Sequence, residues 1–328
     1  MPLDELRPDD APQPLARLGR LLHRFSHSDS AEHVVDPAVQ GLQVVTGFGP
    51  TNAPTAGSLS VMLGIIELQR ALDCPVTVVI SELGAWNSRN VAWSNLIAVR
   101  DQMMAFLRHL GFDETSGTLR SHLDFGNLAR AGKIARFLTR EDFLDNRESL
   151  LELYDSHGLL GSEVGIVVDS LYTVADILGP AEGGARHILM VSGLEEAYFT
   201  ELARLVLRRQ AVAGDLSLGW QATVGALYFR VLEGLAGYPK MSKSIPDSAI
   251  HVGMTPDDVA ARICTDDPAS QAPLLSAIQL ASGWPIDQIT TAEYAYAQRD
   301  DDPGPWRAVQ RDYLETFLDF AERWRQCG

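Results

Sequence analysis

Lys240-Met241-Ser242-Lys243-Ser244 is the stretch of this chain most obviously equipped for chemistry. Two ammonium groups three positions apart alternate with two hydroxyls, and Ile245-Pro246 discourages a helix from running on. The approach, Leu232 to Pro239, holds Gly234, Gly237 and Pro239, so it reads as a shaped loop. Cations on such a loop suit a polyphosphate whose charge rearranges during reaction. A Lys-Ser string with nothing around it would equally be a solvated surface loop.

A second phosphate-directed pattern lies upstream. Leu42-Gln43-Val44-Val45-Thr46 reads as a short strand, and Gly47-Phe48-Gly49-Pro50-Thr51-Asn52-Ala53-Pro54 fits neither helix nor strand. From Thr55, a reasonable N-cap, the spacing turns helical, with Leu59, Met62, Leu63, Ile66 and Leu72 on one face. Pro75 to Ile80 is then an apolar run of the buried-parallel type. Strand, Gly-rich turn, helix and strand make a βαβ unit, whose open backbone N–H groups and helix N-terminus suit phosphate.

The elements that must position these groups follow in order. Residues 1–14 are Pro- and Asp-rich and read as loosely attached, and Leu15 to Phe25 as a short basic amphipathic helix. His27 to Val39 is a connection without a clear pattern. Trp86, Asn87, Arg89 and Asn90 follow the second strand, at the edge where open α/β sheets bind ligands. Val91 to Leu110 predicts a long helix stopped by Gly111. Arg130, Lys133, Arg136 and Arg140 are spaced to share a helix face, either solvated or available to a partner. Gly165-Ile166-Val167-Val168 predicts a buried strand, as does His187 to Val191, after which Gly193 opens a helix running to Arg208. Beyond Met254 the pattern is helical, with Thr255-Pro256-Asp257-Asp258 as a start signal. Boundaries fall at 1–40 for an N-terminal extension, 41–250 for a nucleotide-binding domain and 251–328 for a helical domain.

The 328 residues, 46% hydrophobic and 21% charged, suffice for a substantial core. No run approaches the ~18 apolar residues of a membrane span, and acids interrupt the N-terminus, unlike a secretory signal. Cys74, Cys264 and Cys327 are scattered and odd in number, which fits a reducing cytoplasm better than a disulfide framework or zinc site. His23 and His27 are four apart but lack further ligands. A net charge of −16 lowers the expectation of tight RNA binding. Residues 251–328 add to this, with thirteen acids against six arginines.

The lysine pentamer after its Gly-rich approach resembles the nucleotide-binding loop of class I aminoacyl-tRNA synthetases, and further segments are similar to the eukaryotic and archaeal tryptophanyl-tRNA synthetases. Gly47-Phe48-Gly49-Pro50 resembles that family's Gly-x-Gly-Pro turn, and Thr55-Ala56-Gly57-Ser58 stands where its His-x-Gly-His box falls. Gly57 is kept, while Thr55 and Ser58 replace both histidines; aligning Ser60 with a histidine preserves Gly57 less well. Ala175-Asp176-Ile177-Leu178 matches part of the family's amino-acid-side segment, with Asp169 and Thr173 where Tyr and Gln are usual. Gly193-Leu194-Glu195-Glu196-Ala197-Tyr198-Phe199 resembles its next motif.

The resemblance, from about residue 42 to 250, implies a Rossmann-like doubly wound parallel α/β sheet with a C-terminal helical domain. It implies ATP-dependent activation of an amino acid, tryptophan or a related aromatic favoured, as an adenylate, with transfer to tRNA. Mg²⁺ would accompany ATP and the protein would form a homodimer. By the same resemblance Lys240, Lys243, Thr55 and Ser58 are catalytic. Gly47, Gly49, Pro50, Thr51, Gly57, Met241, Ser242 and Ser244 contact ATP, and Tyr172, Asp176, Gly193, Glu195 and Glu196 line the amino-acid and ribose side. Two other outcomes fit the altered box: transfer of the activated amino acid to a small molecule or protein, or ligand sensing without catalysis.

Overall fold

Six strands form one twisted sheet in the computed structural model, which describes residues 2–3, 13–33, 35–36, 40–143, 155, 158, 160–242 and 245–328. The chain divides into two compact units: Met1–Thr51, Ile65–Arg100 and Phe112–Arg230 make the first, and Asn52–Gly64, Asp101–Gly111 and Val231–Gly328 the second.

The first unit holds the sheet. Its strands are β1 (Phe25–Asp29), β2 (Leu42–Phe48), β3 (Val76–Ile80), β4 (Gly117–Ser121), β5 (His187–Gly193) and β6 (Thr223–Phe229). Their order is β1-β6-β5-β2-β3-β4. Every neighbouring pair is parallel except β1 with β6. From β2 the chain builds outward through β3 and β4, then returns to the other side of β2 for β5 and β6. The order therefore reverses between β2 and β5, and the crevice outside the carboxyl ends of those two strands is where a doubly wound sheet receives ligands. The α/β expectation holds, and so does the helical region that follows it.

The helices, in chain order, are α1 (Gln13–Ala16), α2 (Ala56–Leu72), α3 (Glu82–Ser88), α4 (Trp93–Leu110), α5 (Phe125–Ile134), α6 (Glu163–Glu182) and α7 (Ala197–Ala211), followed by α8 (Pro256–Ile263), α9 (Pro268–Ala281), α10 (Ile286–Ala297) and α11 (Pro303–Arg325). The main core cluster of the first unit joins Val45, Ile134, Val174, Ile177, Leu178, Met190, Val206 and Tyr228, from α5, α6 and α7 against the sheet. Each large aliphatic side chain buried there contributes about 1.5–3 kcal/mol.

Several sequence expectations are corrected. Residues 165–168 are not a strand but lie in α6, whose Ser162 cap accepts from the Gly165 N–H. The apolar run was short, and a short run does not distinguish a strand from a buried helical segment. A Cβ at Gly165 would run into the Asn87 carbonyl, so glycine is what lets α6 sit close on α3. Leu15 to Phe25 does not form one helix: α1 ends at Ala16, a 3₁₀ segment spans Gly19–Arg24, and Phe25 already begins β1. Leu3, within the stretch read as loosely attached, is buried and donates its N–H to Ser26 O at 2.7 Å; residues 4–12 lie outside the described set. The basic face over 130–140 is also broken. α5 ends at Ile134, a 3₁₀ turn follows, and Leu138 goes extended, which takes Arg136 and Arg140 off the face. Arg130 and Lys133 instead clamp Glu182 at 2.8 and 2.6 Å.

The second unit is built mainly on caps and aromatics. Thr255, Asp267 and Asp302 accept from first-turn N–H groups of α8, α9 and α11. Along α11, Trp306, Tyr313, Phe317, Phe320 and Trp324 are buried at helical spacing. Trp324 meets Phe106 edge-on at 5.4 Å.

Candidate functional site

Two polar clusters stand out, one in each unit. In the second unit, Thr55 precedes α2 and its Oγ1 accepts from the Ser58 N–H at 3.2 Å, which makes it the expected N-cap. Thr55 Oγ1 and Ser58 Oγ are 3.4 Å apart, so the two hydroxyls in the box positions do share one side of the first turn. Ser60 is turned back: its hydroxyl donates to Gly57 O.

A short antiparallel pairing fixes this turn. Ala56 N donates to Ile250 O at 2.9 Å and Val252 N to Pro54 O at 3.0 Å, with Thr55 facing His251. The lysine loop is tied in nearby. Met241 N donates to Leu232 O at 3.0 Å, Ser242 N to Ser248 Oγ at 3.0 Å, and Ser248 Oγ to Ile245 O at 2.7 Å. The approach turns through Ala236 and Gly237, both at positive φ, and Ser270 Oγ accepts from the Ala236 N–H. Met241 and Ser242 are buried, and Lys240 is half-buried. Lys243 and Ser244 lie outside the described residues. A Cβ at Gly57 would sit 3.9 Å from Met241 Cβ and Leu232 Cβ and 3.6 Å from Thr55 Oγ1. These are ordinary contacts, so the protein's own packing does not require glycine at 57. Thus Thr55, Gly57, Ser58, Met241 and Ser242, far apart in sequence, meet in one cluster.

The first unit carries the other predicted residues. Gly47, Gly49, Pro50 and Thr51 lie at the carboxyl end of β2, and Gly193, Glu195 and Glu196 at that of β5, the two strands flanking the switch point. The Glu195 carboxylate folds back over Gly193, where a Cβ would collide with it.

Tyr172 and Asp176, one turn apart on α6, meet a network that the sequence reading missed. Asp176 Oδ2 is 2.5 Å from His122 Nε2, and Asp176 Oδ1 accepts from Arg120 Nη2 at 2.7 Å. The Tyr172 ring meets the His122 ring edge-on at 5.6 Å. Glu82, fully buried, accepts from Ser121 Oγ at 2.5 Å and from the Leu123 N–H at 3.2 Å, and pairs with Arg100 at 3.6 Å. Asp169 packs against Gly84 so closely that a Cβ there would strike its carboxylate.

Burial pulls the His122 pKa down, but the charge and hydrogen bond of Asp176, with the charges of Asp169 and Glu82, outweigh it and the net shift is upward. The Gly84 N–H lies 3.3 Å from His122 Nδ1, long for a hydrogen bond, and favours the neutral ring only weakly. Arg120 lies near the end of β4 and His122 directly follows the strand, which is too polar to carry a strand signal in the sequence. The signal available was the Arg-Ser-His triplet itself, ending a Gly-bounded segment.

No family model matches the sequence, and no curated protein matches it. Solved structures do. Tryptophanyl-tRNA synthetase from the hyperthermophilic archaeon Aeropyrum pernix superposes with a TM-score of 0.76 over 100% of this chain and 91% of its own, at 18% identity. The chain has the fold of the tryptophanyl- and tyrosyl-tRNA synthetases. Tyrosyl-tRNA synthetase from Archaeoglobus fulgidus, complexed with L-tyrosine, gives 0.70 over 96% of this chain and 100% of its own, at 17% identity. Tryptophanyl-tRNA synthetase from Encephalitozoon cuniculi, bound to tryptophan, gives 0.70 over 96% and 90%, at 14% identity. This synthetase fold, at such low identity, accounts for the sheet order and the helical region and leaves the chemistry to the residues.

Proposed function

We propose that the chain activates an amino acid with ATP, joining its carboxylate to the α-phosphate and releasing pyrophosphate. One observation carries this reading: the segment bearing the lysines is seated against Gly57 and the first turn of α2, where nothing in the protein's own packing requires a glycine. Lys240 and Lys243 would stabilise the departing pyrophosphate, with Ser242 and Ser244 assisting, and Thr55 and Ser58 would supply hydroxyl donors. Gly47, Gly49 and Gly57 would leave backbone open to the nucleotide, with Pro50, Thr51 and Met241 beside it. Tyr172, Asp176, Gly193, Glu195 and Glu196 would serve the amino acid and ribose.

Among the described residues no group of three or more His, Cys, Asp or Glu side chains is placed to hold a metal. By the resemblance, Mg²⁺ would come with ATP, held by its phosphates. The free cysteines agree with a cytoplasmic setting. Among the described residues α6 is long and apolar enough by composition to cross a membrane, but about half of it is buried in the first unit. A homodimer is the assembly the resemblance suggests.

For the acceptor, tRNA is the resemblance's choice, with tryptophan or another aromatic amino acid as the favoured cargo. A specific observation favours a non-tRNA acceptor instead. Of the six arginines in residues 251–328, Arg262, Arg299, Arg307, Arg323 and Arg325 each pair with a carboxylate. An RNA phosphate would have to displace an acid at each, in a protein of net charge −16.

The test is amino-acid-dependent ATP–pyrophosphate exchange across the twenty amino acids and several indole and phenyl analogues, with Lys243→Ala as control. Exchange with one substrate, lost in the control, is the expected result. Absence of exchange with every substrate, in folded protein, would overturn adenylation and leave the ligand-sensing alternative.

A further inference from the structure

The pairing that holds the start of α2 brings one more side chain to the cluster. The bonds Ala56 N to Ile250 O and Val252 N to Pro54 O flank the facing pair Thr55 and His251 rather than joining it. In an antiparallel pairing that pattern marks a non-hydrogen-bonded pair, whose two side chains point to the same face and approach most closely. Alternation agrees: Ile250 and Val252 are fully buried on the opposite face, and His251 between them is half-exposed.

The state of the ring follows from its two nitrogens. Nδ1 of His251 is sealed from solvent with no partner among the described residues, while the side chain as a whole is half-exposed. A buried N–H without an acceptor is rarer and more costly than a buried lone pair, so the proton belongs on Nε2. Burial first, then the charge of Arg262, lowers the pKa against the opposing pull of Asp258, which keeps Nδ1 unprotonated. The side chain is thus a neutral ring whose donor is Nε2, on the face it shares with Thr55.

We propose that His251 donates a hydrogen bond from Nε2 to the phosphate chain of the nucleotide, beside Thr55 and the first turn of α2. This rests on the nucleotide-binding part of the proposed function and adds a ligand contact to it. Neither hydroxyl at positions 55 and 58 has the reach of an imidazole, so the His251 contact would add to what they donate rather than replace it.

The test is calorimetric binding of ATP, inorganic pyrophosphate and adenosine to the full chain and to His251→Leu and His251→Gln, each checked for an unchanged thermal melt. Gln keeps an N–H near the Nε2 position and Leu does not. His251→Leu is expected to weaken ATP and pyrophosphate by roughly 10- to 100-fold, as for a lost hydrogen bond to a charged group. Adenosine should change by less than about twofold, and His251→Gln should bind pyrophosphate within about threefold of the parent. Equal pyrophosphate affinity in His251→Leu, an equal loss for adenosine, or failure of Gln to restore binding would each overturn the assignment to His251 alone. A parent protein that binds neither ATP nor pyrophosphate would overturn the nucleotide reading beneath it.

Discussion

The two polar clusters solve the same problem, keeping polar groups away from water, in opposite ways. In the first unit the buried groups are charged. Glu82 and His122 are fully buried and Asp176 is 7% exposed, and the Arg100 and Arg120 cations, the Ser121 hydroxyl and the Leu123 N–H answer them. In the second unit the buried groups are neutral hydroxyls and backbone, Thr55, Ser242 and Ser248, with Lys240 left half-exposed. Buried charge is costly unless it is paired, so the integrity of the first cluster is a matter of folding. Neutral hydroxyls tolerate burial at lower cost, and Lys240 at the start of the loop is only half-buried. The first cluster should therefore fail first as structure, with any role of Tyr172 and Asp176 toward a ligand lost along with the fold, and the second as function.

Asp176→Leu is the strongest way to break that contrast. It leaves the buried His122 and the half-buried Arg120 without their carboxylate and should lower the unfolding free energy by about 3–5 kcal/mol in urea titrations. A loss below about 1 kcal/mol would show that the network is not what holds α6 to the end of β4. Lys240→Ala should do the reverse, costing no more than about 1 kcal/mol of stability, as for a half-exposed charge, while pyrophosphate exchange falls roughly 10²–10³-fold. Equal losses of stability and rate in the lysine variant would erase the distinction between the clusters. Gly84→Ala probes the first cluster by volume rather than charge. Its methyl would press on the Asp169 carboxylate, and overpacking of that kind costs about 1–3 kcal/mol.

The sequence made the second cluster legible and hid most of the first. The lysine pentamer, Gly57 and the Thr55 cap are local patterns, readable because loop chemistry and capping depend on neighbours in the chain. Strands β2, β3 and β5 were legible for a similar reason: Val44-Val45, Val76 to Ile80 and Ile188 to Val191 are β-branched or aliphatic runs buried on both faces. β1 (Phe-Ser-His-Ser-Asp) and β4 (Gly-Thr-Leu-Arg-Ser) are edge strands with polar residues between, so their apolar signal is weak. Gly165 to Val168 erred the other way, since β-branched residues sit in α6 through tertiary packing against their propensity. The partners His122 and Asp176 are 54 residues apart, and only the sheet order brings them together.

Acidity sharpens the comparison at a smaller scale. His122 is the buried group of the first cluster whose folded pKa is raised, so its ionisation stabilises the fold. That contribution is fully present below the unfolded value, about 6.5, and is lost as pH rises through the folded value. His122→Gln keeps a donor toward Asp176 but does not titrate. The stability difference between parent and variant should therefore be larger at pH 5.5 than at pH 9, read as urea midpoints across that range. A difference that grows with pH would mean that the Gly84 N–H, not the three carboxylates, sets the state of the ring.

The smallest effect separates structure from function within one residue type. Thr255 and Thr55 both cap helices: Thr255 Oγ1 accepts from Asp258 N at 3.2 Å, and Thr55 Oγ1 from Ser58 N at 3.2 Å. As caps alone the two are equivalent, and replacing either by Ala should cost about 1 kcal/mol, or only a few tenths if replaced by Gly. Thr55, however, stands beside Gly57 and the lysine loop, whereas Thr255 opens α8. Thr55→Ala should therefore lower pyrophosphate exchange beyond what its loss of stability explains, and Thr255→Ala should leave the rate per folded molecule unchanged. If the two variants lose rate in the same proportion as stability, Thr55 is a cap and nothing more, and the donor role in the second cluster passes to Ser58 and the lysines.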